Sequence, residues 1–150
     1  MIKKKLLSVI IPLVIFGLVY SGCKKDDDDD GSSTMTATIE GSSWSATSFA
    51  FNISGNNTSI VGWKDNEYVS ITLVDATTTG NYDVGISNPS TGAYSNDGQS
   101  TFYVSRQGYV NVTEYTDLRI KGTFEFLAVK ATTQDTVLVD NGAFDVSTKE

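Results

Sequence analysis

The 150-residue chain has no histidine and a single cysteine, Cys23. The lack of histidine removes the commonest general base and excludes serine–histidine triads and histidine-ligated metals. One cysteine excludes an intramolecular disulfide and any cluster of thiolate ligands. These absences predict a protein that is not an enzyme and that carries no cofactor and no metal.

Basic residues are also scarce. The chain has 11 Lys and Arg against 18 Asp and Glu, a formal net charge of −7. No basic stripe is present to bind phosphates, so nucleic acid is not an expected partner. There are only 2 prolines, while hydrophobic residues make up 39% and aromatic residues 11% of the chain. This composition predicts a folded domain rather than a disordered chain.

The N-terminal segment has the pattern of an export signal. Three lysines at positions 3–5 precede an apolar stretch, Leu6 to Val19, which is shorter than the about 20 residues of a membrane-spanning helix. The sequence Tyr20-Ser21-Gly22-Cys23 resembles the lipobox of bacterial lipoproteins, with Tyr20 where Leu is usual. The resemblance implies that residues 1–22 are a cleaved signal peptide. It also implies that fatty acyl chains such as palmitate on Cys23 anchor the protein to a membrane.

Residues 23–33 are predicted to be the lipidated cysteine followed by a disordered acidic linker, because the carboxylates of the five-Asp run repel one another. A cysteine followed by lysine and aspartate is similar to the signal that exports lipoproteins of Bacteroidota to the outer face of the outer membrane. The matching residues are Lys24, Lys25, Asp26, Asp27 and Asp28. The similarity implies an outer-membrane protein exposed at the cell surface, with a periplasm-facing orientation as the alternative.

Residues 34–150 show the two-residue period of antiparallel strands with one buried face, as in Val69, Ile71 and Leu73 alternating with polar residues. The same alternation predicts these inward side chains: Phe49, Phe51, Ile53, Phe102, Val104, Val110, Val112, Leu118, Ile120, Phe124, Phe126, Val137, Val139, Phe144 and Val146.

Turn-forming residues separate the predicted strands at regular intervals. They are Glu40-Gly41, Gly55-Asn56-Asn57, Asp65-Asn66, Thr79-Gly80-Asn81, Asn96-Asp97-Gly98, Gln107-Gly108 and Asp140-Asn141-Gly142. The pattern predicts an all-β domain, an antiparallel sandwich or flattened barrel of about eight or nine short strands. The longest break, from Gly85 to Ser100, is predicted to be a functional loop.

Two motifs stand out in the predicted β domain. The opening motif is Met-x-Ala-x-x-x-Gly-x-x-Trp-x-Ala, here residues 35–46, and the late motif is Ile-x-Gly-x-Phe-x-Phe, here residues 120–126, followed by Asn-Gly-x-Phe at 141–144. They resemble the motifs of a family of small Bacteroidota cell-envelope lipoproteins of unknown function. These are packing motifs, so the resemblance implies a β fold and a lipoprotein and brings no catalytic residue with it. In particular, Trp44 is predicted to be a core residue.

Candidate binding residues are aromatic. Trp63 lies beside a turn, and Tyr109 and Tyr115 are predicted to point outward, where they could stack on sugar rings or peptide side chains. Cross-strand pairing on an exposed sheet face is the alternative role for these aromatic residues. Asp135-Thr136-Val137 resembles the O-glycosylation sequence of exported Bacteroidota proteins, which makes Thr136 a candidate modification site, with a chance match of three residues as the alternative.

These observations favour a non-catalytic accessory that binds a glycan or an envelope protein. The alternative is a structural envelope component with no small ligand. A carbohydrate-active enzyme is a weaker alternative, because it needs two carboxylates about 5–9.5 Å apart across a cleft, and the acidic residues here occupy turn or outward positions.

Overall fold

A computed structural model describes residues 33–98 and 100–148. Within them the chain forms ten strands: β1 (Thr34–Ile39), β2 (Ser42–Ser45), β3 (Ser48–Ser54), β4 (Asn57–Lys64), β5 (Glu67–Leu73), β6 (Gly80–Gly85), β7 (Thr91–Ser95), β8 (Tyr103–Tyr115), β9 (Arg119–Lys130) and β10 (Thr136–Ser147). The predicted signal peptide, Cys23 and the residues Lys24 to Asp28 lie outside the described residues.

The strands form one antiparallel sheet that curls into a half-barrel. Nine strands follow one another in the order β2-β1-β10-β9-β8-β7-β5-β4-β3, and β6 pairs with β8 beside this path. The all-β prediction is therefore confirmed, and the sheet curls on itself rather than stacking as two separate layers.

The half-barrel has two ends, which we name by the residues found there. At the Ser33 end, the Ser33 hydroxyl accepts a hydrogen bond from the backbone N–H of Ser147 (3.1 Å), and β1 begins beside it. At the Glu40 end, β1 turns into β2. Since a strand rises about 3.3 Å per residue, β1 carries the chain roughly 20 Å from one end to the other. The segment that precedes residue 33 therefore joins the domain at the Ser33 end.

Reciprocal glycine–phenylalanine pairs dominate the core between β9 and β10. Gly122 lies opposite Phe144, and Gly142 lies opposite Phe124. All three core phenylalanines, Phe124, Phe126 and Phe144, are at most 2% exposed, and the rings of Phe124 and Phe144 stack with centroids 6.2 Å apart. A bare glycine leaves room for the ring across the ladder, so the late sequence motif is a packing motif, as predicted.

Two β-bulges in β8 explain where the alternation pattern gave wrong orientations. The register with β9 shifts between Ser105 and Gln107, and again between Val112 and Glu114. Each extra residue reverses the faces of the side chains beyond it. Val110 and Val112 are buried as predicted, whereas Val104, before the first bulge, is 42% exposed.

Three other predicted orientations were also wrong. Phe102 precedes β8 and is 48% exposed, and Leu118 is 55% exposed in the turn between β8 and β9. Tyr115 lies beyond the second bulge and packs against the core instead of pointing outward.

The predicted loop from Gly85 to Ser100 contains a strand, β7, which pairs with both β5 and β8. The prediction of one long loop is therefore wrong, and the irregular segments are the two shorter connections on either side of β7. The turn residues Gln107-Gly108 and Asn141-Gly142 also lie within strands, each beside a bulge. Asn141 uses its positive φ of 48° inside β10 rather than in a hairpin.

Candidate functional site

The sheet has an open seam where the chain passes from β2, which pairs with β1, into β3, which pairs with β4. The backbone N–H of Ala46 donates to the carbonyl of Met35 (2.9 Å), and the next N–H, that of Thr47, donates to the carbonyl of Trp63 (2.7 Å). Within two residues the chain thus exchanges β1 for β4 as its pairing partner. Towards the Glu40 end, β2 pairs with β1 alone among the described strands. A seam therefore separates β2 from Lys64 at the end of β4.

Two adjoining pockets occupy this seam and share Ser43, Trp44 and Lys64. The first, which we call the hydroxyl pocket, has a volume of about 410 Å³ and is lined by Thr36, Ala37, Thr38, Ser43, Trp44, Ser45, Lys64 and Asn141. The second, the carboxylate pocket, has a volume of about 340 Å³ and is lined by Ile39, Glu40, Ser42, Ser43, Trp44, Lys64, Glu67, Tyr94, Asn96 and Val137. Volumes of this size suit a small ligand or one part of a longer one.

Both carboxylates of the second pocket already accept hydrogen bonds. Oε1 of Glu67 accepts from the Tyr94 hydroxyl at 3.1 Å, and Oε1 of Glu40 accepts from the backbone N–H of Leu138. Burial raises the pKa of Tyr94, and the neighbouring charge of Glu67 raises it further, so the tyrosine remains a protonated donor. Lys64 lies opposite Glu67 in the β4–β5 ladder and forms no ion pair within the described chain.

Trp44 forms the floor between the two pockets. It is 3% exposed and belongs to the core, as predicted. Gly62 makes room for it: a Cβ on this glycine would lie 3.2 Å from the Trp44 ring and 2.8 Å from Met35 Sδ. The indole Nε1 is buried and has no hydrogen-bond partner in the described chain, and the same holds for Oδ1 of Asp140. Trp44 is therefore mainly a core residue that lies beneath the pockets and exposes little of its ring to them.

The three aromatic residues predicted to bind a ligand do not come together. Trp63 lies near the Glu40 end of β4, where it pairs with Tyr68 on the outer face. Tyr109 is 43% exposed in the middle of β8, on the outer face as predicted. Tyr115 lies at the Ser33 end, and its hydroxyl is 2.9 Å from that of Thr58. Trp63 thus has the alternative role of cross-strand pairing, whereas Tyr115 packs against the core, contrary to its predicted outward orientation.

Tyr109 lines a separate pocket of about 390 Å³ together with Asp83, Glu125, Leu127 and Leu138. Asp83 and Glu125 lie opposite Tyr109 on the strands to either side. Two strand spacings place their backbones about 9.5 Å apart, near the upper limit for a glycosidase pair. With Leu138 40% exposed beside it, this surface combines apolar and acidic side chains.

A loop at the Glu40 end packs over the outer face of β5. The N–H of Gly98 donates to the carbonyl of Asn66 (2.7 Å), and Asp97 accepts a hydrogen bond from the N–H of Thr101 (2.6 Å). The hydrogen bonds from Thr101 lower the pKa of Asp97. Burial, with a smaller contribution from Asp97, raises the pKa of Tyr68. The loop thus holds one wall of the Glu40 end in place.

Further features bear on the remaining predicted sites. Thr136 is exposed at the start of β10, so it is accessible to modification. Within residues 33–98 and 100–148, no group of three or more Asp, Glu, Cys or His could hold a metal ion. The described part of the chain contains no helix that is long and apolar enough to cross a membrane.

Sequence reasoning did not identify Lys64 or Tyr94 as residues that line a pocket. A signal for Lys64 is present, because Ile60, Gly62 and Lys64 share the inward face of β4. A lysine at an inward position beside a turn indicates an opening in the core. Tyr94 gave no comparable signal, since its strand fell inside the segment predicted as a loop.

Residues 31–146 match a protein family described as a domain of unknown function, DUF6252. No match was found among curated proteins or among solved structures.

Proposed function

This chain belongs to the DUF6252 family, and we propose that it is an outer-membrane lipoprotein of a Bacteroidota cell. In this proposal its β domain is a non-catalytic accessory, exposed at the cell surface, that binds a glycan or a protein. The N-terminal resemblances to a lipobox and to a surface-export signal support the location. Acylated Cys23 would be the membrane anchor, followed by Lys24 and the acidic linker.

The observation that carries the binding role is the pair of seam pockets. They place several hydroxyl, amide and charged groups above the buried Trp44, and a few convergent polar groups of this kind can orient a polar ligand. The carboxylate pocket lies at the Glu40 end, while the predicted linker joins at the Ser33 end. A domain anchored through that linker can present the pockets away from the membrane.

The hydrogen bonds inside the carboxylate pocket orient its two carboxylates. Glu40 and Glu67 each accept one hydrogen bond from the protein, which leaves acceptor positions on both for a polar ligand. The Tyr109 surface, with its exposed Leu138, is a second candidate contact and favours a protein partner.

The location can be tested by expressing the full chain with a radiolabelled palmitate precursor. Wild-type protein is expected to carry label, to sediment with membranes and to be degraded when intact cells are treated with protease. Cys23→Ser should lose the label and the attachment, whereas the control Ser32→Ala should keep both. Firm membrane attachment of Cys23→Ser would contradict the proposal.

The binding role can be tested with a glycan array probed by the detergent-solubilised full chain. Ser43 lines both pockets on β2, so Ser43→Tyr should block binding by filling the shared space. Thr123→Tyr adds the same side chain on the outer face of β9 and should bind as the wild type does. Absence of any glycan or protein ligand would favour the structural alternative.

A further inference from the structure

We infer that the outer face of strands β3, β4, β5 and β7 binds a neutral saccharide chain. This surface is separate from the seam pockets, so the inference goes beyond the proposed function. Its side chains come from every second residue of 48–54, 57–63, 68–72 and 91–95, which lie opposite one another in the three ladders. None of these positions carries a charged side chain. We call this surface the neutral face.

The absence of charge sets the neutral face apart from the rest of the sheet. About a quarter of the residues on a protein surface are charged, and the outward positions of β6 and β9 include Asp83 and Glu125. Around the neutral face, Asp65, Asp75 and Asp97 lie in the connections beyond the strand ends. A charged ligand would lose water on this face without gaining an opposite charge. The face is therefore complementary to a neutral ligand.

The neutral face is also regular. The β3–β4, β4–β5 and β5–β7 ladders pair residue for residue, whereas the β8–β9 and β9–β10 ladders contain bulges. Outward side chains therefore form continuous rows across the strands, such as the row of Asn52, Ser59, Thr72 and Thr91. Four strands about 4.8 Å apart make a surface roughly 14 Å wide, which is comparable in length to a short oligosaccharide.

The side chains of the face match the two kinds of surface that a sugar has. The row just described offers hydroxyl and amide groups, which donate and accept hydrogen bonds as sugar hydroxyls do. Towards the Glu40 end, the half-buried Trp63 lies opposite Tyr68, and Phe102 packs edge-on against Tyr68 with ring centroids 6.0 Å apart. Phe102 is 48% exposed. The rings of Trp63 and Phe102 can therefore pack against the C–H groups of a sugar.

A second copy of the chain or a membrane matches the face less well. Stable dimer interfaces have a core of large apolar side chains, and membrane-binding surfaces combine such side chains with Lys or Arg. The middle of the neutral face instead has Ser59, Ser70 and Thr72, which are small and carry hydroxyl groups. This composition favours a saccharide over the other two occupants.

Isothermal titration of the full, lipidated chain, in a detergent without a sugar head group, would test this inference. The neutral probes are hexamers of glucose, xylose, mannose and N-acetylglucosamine, and the charged comparison is a hexamer of galacturonate. At least one neutral hexamer should bind, and galacturonate should bind at least tenfold more weakly. Binding should also change the tryptophan emission, because Trp63 is on the face while Trp44 is buried in the core.

Variants locate the binding on the neutral face. Trp63→Ala should lower the affinity for the neutral hexamer about tenfold, and Trp63→Phe should restore most of it. Ser70→Glu should also lower the affinity about tenfold, because its carboxylate would lose water beneath the sugar. Thr123→Glu makes the same change in net charge on the outer face of β9 and should leave the affinity unchanged. Thermal unfolding of each variant verifies that it folds.

The seam variant Ser43→Tyr distinguishes this inference from the proposed function. It should leave binding to the neutral face unchanged, because Ser43 lies in the seam pockets. A hexamer that is lost in Ser43→Tyr and retained in Trp63→Ala would overturn the neutral face as its site and leave the seam as a binding site.

Three further results would overturn the inference. Galacturonate bound as tightly as the neutral hexamers would contradict the neutral class of ligand. Sedimentation that shows a dimer, abolished by Ser70→Glu and kept by Thr123→Glu, with no saccharide bound, would identify a second copy of the chain as the occupant. Failure of every neutral hexamer to bind would remove the saccharide from this face, whatever the seam pockets bind.

Discussion

The guanidinium group of Arg119 holds both carboxylate oxygens of Asp145 across the β9–β10 ladder. Nε lies 2.8 Å from Oδ1, and Nη2 lies 2.9 Å from Oδ2. Nζ of Lys121 lies 3.5 Å from Oδ2 of the same carboxylate. On its other side, Asp145 lies opposite Thr34 in the β1–β10 ladder. This bidentate pair links β9 and β10 beside the position where the predicted linker joins the domain.

This pair makes stability depend on pH in the acid range. Arg119 lowers the pKa of Asp145 in the folded state, so the stabilisation is complete above the unfolded pKa of about 3.9 and is lost as the pH falls through the folded value. Asp145→Asn should lower the free energy of unfolding in urea by about 1 kcal/mol near neutral pH. The difference from wild type should shrink below about pH 4.

Asp117→Asn is the matched control, because Asp117 is exposed in the nearby β8–β9 turn. Its difference from wild type should be small throughout. If the effect of Asp145→Asn stays constant down to low pH, the pair does not account for the acid sensitivity.

The reciprocal Gly–Phe pairs predict a second effect on stability. A Cβ at Gly142 would lie 2.5 Å from the ring of Phe124, and one at Gly122 would lie 2.2 Å from the carbonyl oxygen of Asn111 and 2.7 Å from the ring of Phe144. Because the core is close-packed, Gly142→Ala and Gly122→Ala should each lower the free energy of unfolding by about 1–3 kcal/mol.

Chemical denaturation of these variants measures the effect, with Thr123→Ala, exposed on the same strand as Gly122, as the control. Gly142→Ala should be partly rescued by Phe124→Leu, which gives space to the new methyl group. An alanine at either glycine that leaves the unfolding midpoint unchanged would show that the pairs have more freedom than the packing indicates.

The hydroxyls of Thr58 and Tyr115 predict an energetic coupling between β4 and β8. Thr58 is fully buried, so Tyr115→Phe would leave its hydroxyl without this partner, at a cost of about 1–3 kcal/mol. Thr58→Val should cost less, because Tyr115 is only partly buried and its hydroxyl can turn to water. The double variant should be more stable than the sum of the two single effects predicts, by about 1 kcal/mol. Additive single effects in urea denaturation would contradict the coupling.

The sequence predicts the class of fold because most strands alternate without interruption. Ile120, Phe124 and Phe126 occupy the buried face as their spacing indicates. The errors arise where one extra residue enters a strand: the bulges in β8 reverse Val104 and Tyr115 relative to the pattern between them. The sequence does not mark a bulge, because Gly and Asn occur at bulges and at turns alike.

The candidate site was less predictable than the fold for a different reason. The seam depends on the point, between Ala46 and Thr47, at which the chain exchanges β1 for β4 as its pairing partner. That switch is a long-range pairing choice, and no local propensity encodes it. Lys64 and Trp44 become neighbours in one pocket only after both pairings have formed. The aromatic residues selected from their predicted exposure therefore lie outside the two seam pockets.

The strand β3 lies at one of the two ends of the strand order and is the expected site of self-association when the protein is concentrated. Among the described strands it pairs with β4 alone, and its sequence from Ser48 to Ser54 has no charge and no proline. Edge strands without such protection are templates for pairing with another chain. Ala50 is exposed on the outer face of β3, so Ala50→Lys should raise the concentration at which the protein aggregates.

Thr123→Lys is the matched control for this effect. It makes the same change in net charge, but its position is on β9, which has strands on both sides. Light scattering as a function of protein concentration, in constant detergent, compares the two variants with wild type. A lysine on β3 should suppress aggregation more strongly than a lysine on β9, because only the first opposes pairing at an open edge. Equal effects of the two lysines would show that net charge, rather than the β3 edge, controls association.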